Sequence, residues 1–510
     1  MAGKKKIKKI LDRYINDQSN VRTGNDVPEY MLHTKRQDAH FFFGIKINTE
    51  TTEGMMNNDT HDIVRYVGKP QDYDGHVMVV GGAGSGKSSC IVIPTLETWG
   101  GTFFAIDIKG ELTAHWNRLE GAAGHKPAKI FNLSNERSIF STYDPFHFMR
   151  QDWEDNLVQN AREIAHAIIP LPPSVTEPFW IQSAQHVLTA ALLHGFGIGA
   201  SFNATLTRIQ TTPIWELIDE ISKGDNLAAQ MHINQFSGIE NPSENKMLTG
   251  ISAELSNKVM IFVTDLRIKD ALSPSDELMK WEDLETHNIF MTIAEDKLGQ
   301  WDGAISMLLT QLIRTLERRP DRYSDDGLNN TPVLLLLDEF PRLGKVGMIE
   351  NAVSTLRSKG VTICLVMQSL AQLDRTYGKV SRQIIVDNCQ YKAILNVTDS
   401  ENQKIFSDMI GSITVTSGTI SLDSNKDNSD YTLQFGESRE PILHPHELAT
   451  LEDVVLMTPK GFCRVTKAPY YNEPRRGKPV IINQDNPQSS QDDAIGRSSP
   501  NVVNLKINED

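Results

Sequence analysis

The sequence predicts an α/β fold on a parallel sheet, with an all-helical region inserted into it. Three features carry that expectation. Short, wholly apolar runs such as Val77–Val80 and Val333–Leu337 end in glycine or acidic residues, as strands buried on both faces do. Segments with apolar residues at helical spacing, such as 304–317 and 349–357, lie between most of these runs, and strands alternating with helices close as parallel pairs. Residues 153–275 carry helical patterns without a strand.

Taken in order, residues 1–40 are polar and charged, with a lysine run from Lys4 to Lys9. Residues 41–47 predict a first strand, and a polar loop runs on to Gly75. Val77–Val80 predicts a second strand, and residues 102–108 a third that closes at Lys109 and Gly110. In the inserted region Leu157, Ala161, Ile164, Ala165 and Ile168 share one helical face, as do Trp180, Ala184, Val187, Leu188 and Ala191. Residues 206–221 and 251–266 supply two more helices, and Phe179 and Trp180 are expected in the core of this region, with the lining of a channel as the other reading. Strands return at Asn288–Ile293, Val333–Leu337, 361–366 and 392–397. Residues 418–438 read as a polar loop or hairpin excursion, and His444 to Glu447 as a loop entering a helix. The last stretch is rich in Asn, Gln, Ser and Asp and reads as a mobile tail. The expected division is a basic segment 1–40, a first part of the sheet domain 41–152, the all-α insert 153–275, a second part 276–475 and a tail 476–510.

Composition narrows the function. At 510 residues the chain is too long for one ordinary core and calls for two or three domains. Its 39% hydrophobic and 23% charged residues fit a soluble globular protein. The net charge of −14 excludes coating nucleic acid by bulk positive charge, but leaves room for a local basic channel. Cys90, Cys364, Cys389 and Cys463 form no CxxC pair, which speaks against a disulfide framework or zinc site and fits a reducing cytosol. The longest apolar stretch, 187–200, is broken by His194, Gly195 and Gly197 and falls short of the ~20 residues that span a bilayer. The lysine run lacks the apolar core of a signal peptide.

Two motifs carry chemistry. Gly81, Gly82, Ala83, Gly84, Ser85, Gly86, Lys87 and Ser88, followed by Ser89, match G-x-x-x-x-G-K-[ST] directly after the strand Val77–Val80. Glycines let successive N–H groups face phosphate oxygens, Lys87 reaches the β- and γ-phosphates, and the Ser88 hydroxyl holds Mg²⁺. The second motif is Asp338-Glu339 at the carboxyl end of Val333–Leu337, where ligands of such sheets bind. Asp338 is expected to hold Mg²⁺ and Glu339 to polarise the attacking water, so the pair points to hydrolysis of ATP. About 250 residues separate Lys87 from Asp338, an excess that the helical insert accounts for.

At this point the sequence resembles the type IV secretion coupling ATPases, the TraG/TraD group of conjugation. The resemblance rests on an ordered series over about residues 40–475: the phosphate loop, Asp107-Ile108-Lys109-Gly110-Glu111, Tyr143-Asp144-Pro145-Phe146, Pro178-Phe179-Trp180, Asp338-Glu339-Phe340-Pro341-Arg342, Met367-Gln368-Ser369, and Arg439 with Pro441. It implies a RecA-like P-loop ATPase core with an all-α domain, assembled as a homo-hexamer. The implied place is the cytoplasmic face of the inner membrane, beside type IV secretion channel components. The implied partners are the relaxase or relaxosome with its transferred DNA, and protein effectors. By position in the motifs, Gln368 senses the γ-phosphate and Arg357 is an arginine finger acting in trans, with Arg342 and Lys359 as alternatives. Relatives usually begin with transmembrane helices, which this sequence lacks: either it is a trimmed form, or it is a soluble variant that docks peripherally on a membrane partner. Two other functions stay open on the residues: another hexameric ring motor, either a DNA translocase or a channel-assembly ATPase, and a nucleotide-gated adaptor without catalysis.

Overall fold

A computed structural model describes residues 24–53, 58–119, 126–133, 141–151, 153–172, 175–276, 278–327, 330–422 and 431–472. Its strands are β1 (Leu32–His33), β2 (Phe41–Glu53), β3 (Asn58–Lys69), β4 (Val77–Val80), β5 (Thr102–Asp107), β6 (Ala128–Leu133), β7 (Thr142–Tyr143), β8 (Leu278–Met279), β9 (Asn288–Ile293), β10 (Val333–Leu337), β11 (Val361–Met367), β12 (Tyr391–Ile394), β13 (Ser412–Leu422), β14 (Tyr431–Pro441), β15 (Val454–Thr458) and β16 (Gly461–Val465). Nine of them form one sheet in the order β16-β15-β12-β4-β11-β10-β5-β9-β6. From β12 to β6 every neighbouring pair is parallel, whereas β15 and β16 extend the sheet antiparallel at one end.

The central strands are buried on both faces, and alternate residues serve two different cores. Met78, Val80, Phe104, Ile106, Leu335 and Leu337 point to one side, and Val77, Val79, Phe103, Ala105, Leu334 and Leu336 to the other. The helices of residues 153–271 share the first of these cores with the sheet, so their apolar faces and the sheet face bury one another. Where β5 enters, the backbone fits so closely that a Cβ on Gly101 would lie 1.8 Å from the carbonyl oxygen of Pro332.

Several elements differ from the sequence expectation. The single helix foreseen over 206–221 is two, Phe202–Thr211 and Ile214–Lys223, because Pro213 offers no N–H and pushes Thr212 out of helical geometry. The helix foreseen over 251–266 runs Lys246–Thr264 and stops at Asp265, whose carboxylate accepts the N–H groups of Arg267 and Ile268 and starts a new helix. β3, β6, β15, β16 and the short β1, β7 and β8 were not foreseen; the polar loop expected up to Gly75 holds the end of β2 and all of β3, which pair antiparallel in a separate small sheet. β6 reads Ala-Lys-Ile-Phe-Asn-Leu, too mixed to mark an edge strand. The excursion near 418–438 belongs to a longer hairpin, β13 paired with β14. Residues just before Phe41 are built into the fold: β1 pairs with β3, and Met31 and Ala39 are fully buried. The lysine run and the tail 476–510 lie outside the described residues. Phe179 and Trp180, expected in the core, stand 45% and 37% exposed. No helix among the described residues is long and apolar enough to cross a membrane.

Candidate active site

The sheet order brings the two motifs together. β4, β11 and β10 are consecutive parallel neighbours, with Val80 opposite Met367 and Leu337 opposite Leu365. Their carboxyl ends deliver the phosphate loop, Gln368 and the Asp338-Glu339 pair side by side, with Gln368 in the middle.

The loop is anchored at its start, where Gly81 N–H donates to Met367 O at 3.2 Å and Gly82 N–H to Asn396 O at 2.7 Å. It then turns through Gly84 and Gly86 at φ +73° and +95°, a region where a side chain is strained. The first turn beyond, Lys87–Val92, is a wide π-type turn that continues into the helix Ile93–Thr98. Lys87 is only 8% exposed, and its Nζ donates to Gly81 O at 2.6 Å and Gly82 O at 3.1 Å. Burial pulls its pKa below the usual lysine value, opposed by the charges of Glu339 and Asp338. The hydroxyl of Ser85 is buried without a hydrogen-bond partner among the described residues, as suits a loop shaped to meet a ligand.

Glu339 takes up the left-handed conformation at φ +49°, rare for a residue with a side chain. Its buried carboxylate accepts both oxygens' bonds from the Gln368 amide, Nε2 to Oε1 at 2.9 Å and to Oε2 at 3.1 Å. Asp338 accepts the Glu339 N–H at 3.0 Å. Burial, and then the Glu339 charge beside it, push the Asp338 pKa up to about 6. A cation near this pair would relieve both penalties, so the donor set of Ser88 and Asp338 fits Mg²⁺.

A cleft of about 670 Å³ opens over these groups. Residues 83–89, Lys109, Glu111, Glu339 and Gln368 are among the residues that line it. Asp107 and Asp338 stand outside the lining. The Asp107 carboxylate instead caps the helix Glu111–Leu119 by accepting the Thr113 N–H at 2.8 Å. Arg357 is not brought to the cleft of its own chain. It is exposed on the turn Leu356–Lys359, before the amino end of β11, whereas Gln368 follows the carboxyl end. A strand of that length puts the two about 20 Å apart. Of the alternatives, Arg342 pairs with Glu295 at 2.7 Å and lies nearer the acid pair in sequence.

Residues 45–498 match the family described as type IV secretory system conjugative DNA transfer. The chain belongs to this family. Among curated relatives it is 25% identical over 410 residues to Protein VirD4 of Rhizobium rhizogenes, covering 78% of this chain and 59% of that protein. It is 23% identical to the conjugal transfer protein TraG of Escherichia coli over 75% of this chain and 64% of that one. The chain thus spans about three fifths of the length of these relatives. Among solved structures it shares its fold with the bacterial conjugative coupling protein TrwB, at TM-score 0.61 and 19% identity over 79% of this chain and 86% of that one. The complex of the plasmid coupling protein TrwB with ADP and Mg²⁺ superposes at TM-score 0.60, again at 19% identity, over 79% and 87%.

Among the polar and aromatic side chains that line the cleft, sequence reasoning missed His115, Arg118, Tyr470 and Tyr471. The first two were within reach, since Glu111, Ala114, His115 and Arg118 follow helical spacing and occupy one face of Glu111–Leu119. Tyr470 and Tyr471 come from far along the chain, and no local pattern marks them.

Proposed function

We propose that this chain is a coupling ATPase of a type IV secretion system. It recruits relaxase-bound DNA or protein substrates to the secretion channel and uses ATP binding and hydrolysis to drive or license their transfer. The observation that carries this is the meeting of Lys87, Glu339 and Gln368 at the ends of three adjacent strands, in a chain of the conjugative DNA transfer family. TrwB, which shares the fold, has been solved with a non-hydrolysable ATP analogue and with ADP and Mg²⁺.

Each residue has a distinct task. Lys87, an ammonium already stripped of water, gives a phosphate group a strong partner because little solvent competes. Glu339, gripped through both oxygens by Gln368, is oriented to accept a proton from the attacking water. Gln368 stands between that carboxylate and the phosphate loop, where it registers the presence of a terminal phosphate. Ser88 and Asp338 would hold Mg²⁺, which when bound neutralises phosphate charge as the bond breaks. Arg357, remote from its own cleft, serves the cleft of a neighbouring subunit in a homo-hexameric ring. The chain works at the cytoplasmic face of the inner membrane, against channel components and the relaxosome. DNA contact uses a local basic surface and weakens with salt.

The test is genetic and biochemical together. A strain lacking the gene is complemented with wild-type, Lys87→Ala or Glu339→Gln chains, and transfer of a mobilisable plasmid is counted beside phosphate release by the purified proteins. Both variants are expected to accumulate normally and to transfer no DNA. Wild-type transfer by either variant refutes the proposal.

A further inference from the structure

Two kinds of surface line the cleft. Glycine backbone, Lys87 and Glu339 supply polar surface, whereas Tyr470, Tyr471, Ile93 and Ala114 supply apolar and aromatic surface, with the turn Tyr470–Asn472 packed against the turn Lys87–Val92 that follows the loop. Tyr471 is 58% exposed, although an aromatic ring of that size is usually covered. Its position is braced from behind. It packs edge-on against Tyr470, with ring centres 5.2 Å apart at 79°, and Tyr470 packs edge-on against His115 at 4.7 Å and 71°. His115 is in turn held by Glu97, Nε2 to Oε1 at 2.5 Å, and Glu97 by Arg36 at 2.6 Å. The ring that meets solvent at the cleft is therefore not a loose side chain but the end of a fixed stack.

We infer that Tyr471 is the platform on which the base of a bound nucleotide stacks, so that the ligand is a nucleoside polyphosphate held at both ends. This deepens, and rests on, the nucleotide-binding function proposed above. Every base has a π-face, and stacking on an aromatic ring favours the larger purine face over the pyrimidine one. The platform thus supplies affinity for the nucleoside, while Lys87 supplies it for the phosphates.

The two contributions separate by calorimetric titration, with Mg²⁺ present, of ADP, CDP and inorganic tripolyphosphate into the wild-type, Tyr471→Ala, Tyr471→Phe and Lys87→Ala chains. Loss of one stacked base is expected to weaken ADP by about 5- to 150-fold in Tyr471→Ala. Tripolyphosphate should change by less than about twofold, the preference for ADP over CDP should collapse, and Tyr471→Phe should bind ADP as the wild type does. Because Tyr471 is exposed, the fold is expected to survive, and equal melting temperatures check this. Unchanged ADP affinity in Tyr471→Ala, or equal weakening of ADP and tripolyphosphate, overturns the platform. Wild-type binding of both ligands by Lys87→Ala instead removes the nucleotide site itself, and the platform falls with it.

Discussion

If Arg357 completes the site of a neighbour, its removal should leave the isolated chain unaffected and cripple the assembly. Across the length of β11 an arginine sits about 20 Å from Gln368, where two unit charges in water interact by only about 0.2 kcal/mol before screening. At physiological salt the screening length is about 8 Å, so almost nothing of that remains. In a ring, where the guanidinium meets the transition state directly, the same residue is worth about 10³- to 10⁵-fold in turnover. The assay is phosphate release at rising protein concentration for wild type, Arg357→Ala, Glu339→Gln and their equimolar mixture. Wild-type specific activity should climb with concentration, and each variant alone should stay near background. The mixture should recover about a quarter of the wild-type rate, because a head-to-tail interface takes one residue from each neighbour and a quarter of random pairs hold both intact groups. No recovery on mixing, or full turnover by a strictly monomeric wild type, refutes the trans assignment.

Lys87→Ala should lose nucleotide binding, whereas Glu339→Gln should bind ATP and retain it unhydrolysed; filter binding and phosphate release measure both, and normal turnover by Glu339→Gln counts against its role as base. Lys69 is fully buried, donates to Thr362 Oγ1 at 3.2 Å, and is driven by burial to a pKa of about 7 from the ordinary 10.5. Between about 7 and 10.5 the folded chain holds fewer protons than the unfolded one, so wild-type stability should rise by up to about 1.4 kcal/mol per pH unit. Below about 7 both states are charged and the penalty is fully felt. A Lys69→Met chain should therefore gain most over wild type near pH 6.5 and distinctly less near pH 9, and a melting-temperature gap independent of pH contradicts the buried-ammonium account. Gly101→Ala should cost at least about 1–3 kcal/mol in chemical denaturation, since its Cβ would strike the Pro332 carbonyl and neither backbone can yield without disturbing β5 or β10. Wild-type stability in that variant would mean that the strand entry is looser than the structure has it.

The central strands were legible because burial on both faces leaves a signature that few other environments produce: Val77–Val80 and Val333–Leu337 are apolar at every position and stop at glycine or acid. The phosphate loop and the acid pair were legible because their chemistry needs fixed residue types at short spacing. Edge strands were not, since β6 and β16 each have a half-open face and admit Lys129, Asn132 and Arg464. The break at Pro213 was written in the sequence, but the apolar spacing on either side runs straight through it. What no pattern revealed is contact across sequence distance: Tyr471 meets the phosphate-loop cleft only because the segment after β16 turns back over the helix Glu111–Leu119.

Among the described residues His40, Asn241 and Glu339 are the non-glycine residues with positive φ, and only Glu339 lies in the cleft. A side chain in that backbone conformation costs ~1–2 kcal/mol, against a whole-domain stability of ~5–15 kcal/mol. Glycine or asparagine would sit there more comfortably and would also end the repulsion with Asp338. Variants chosen for heat resistance alone should therefore accumulate such replacements at position 339, gaining melting temperature as they lose turnover. Any programme to toughen this protein has to hold that codon fixed, or couple each round of thermal selection to an assay of phosphate release.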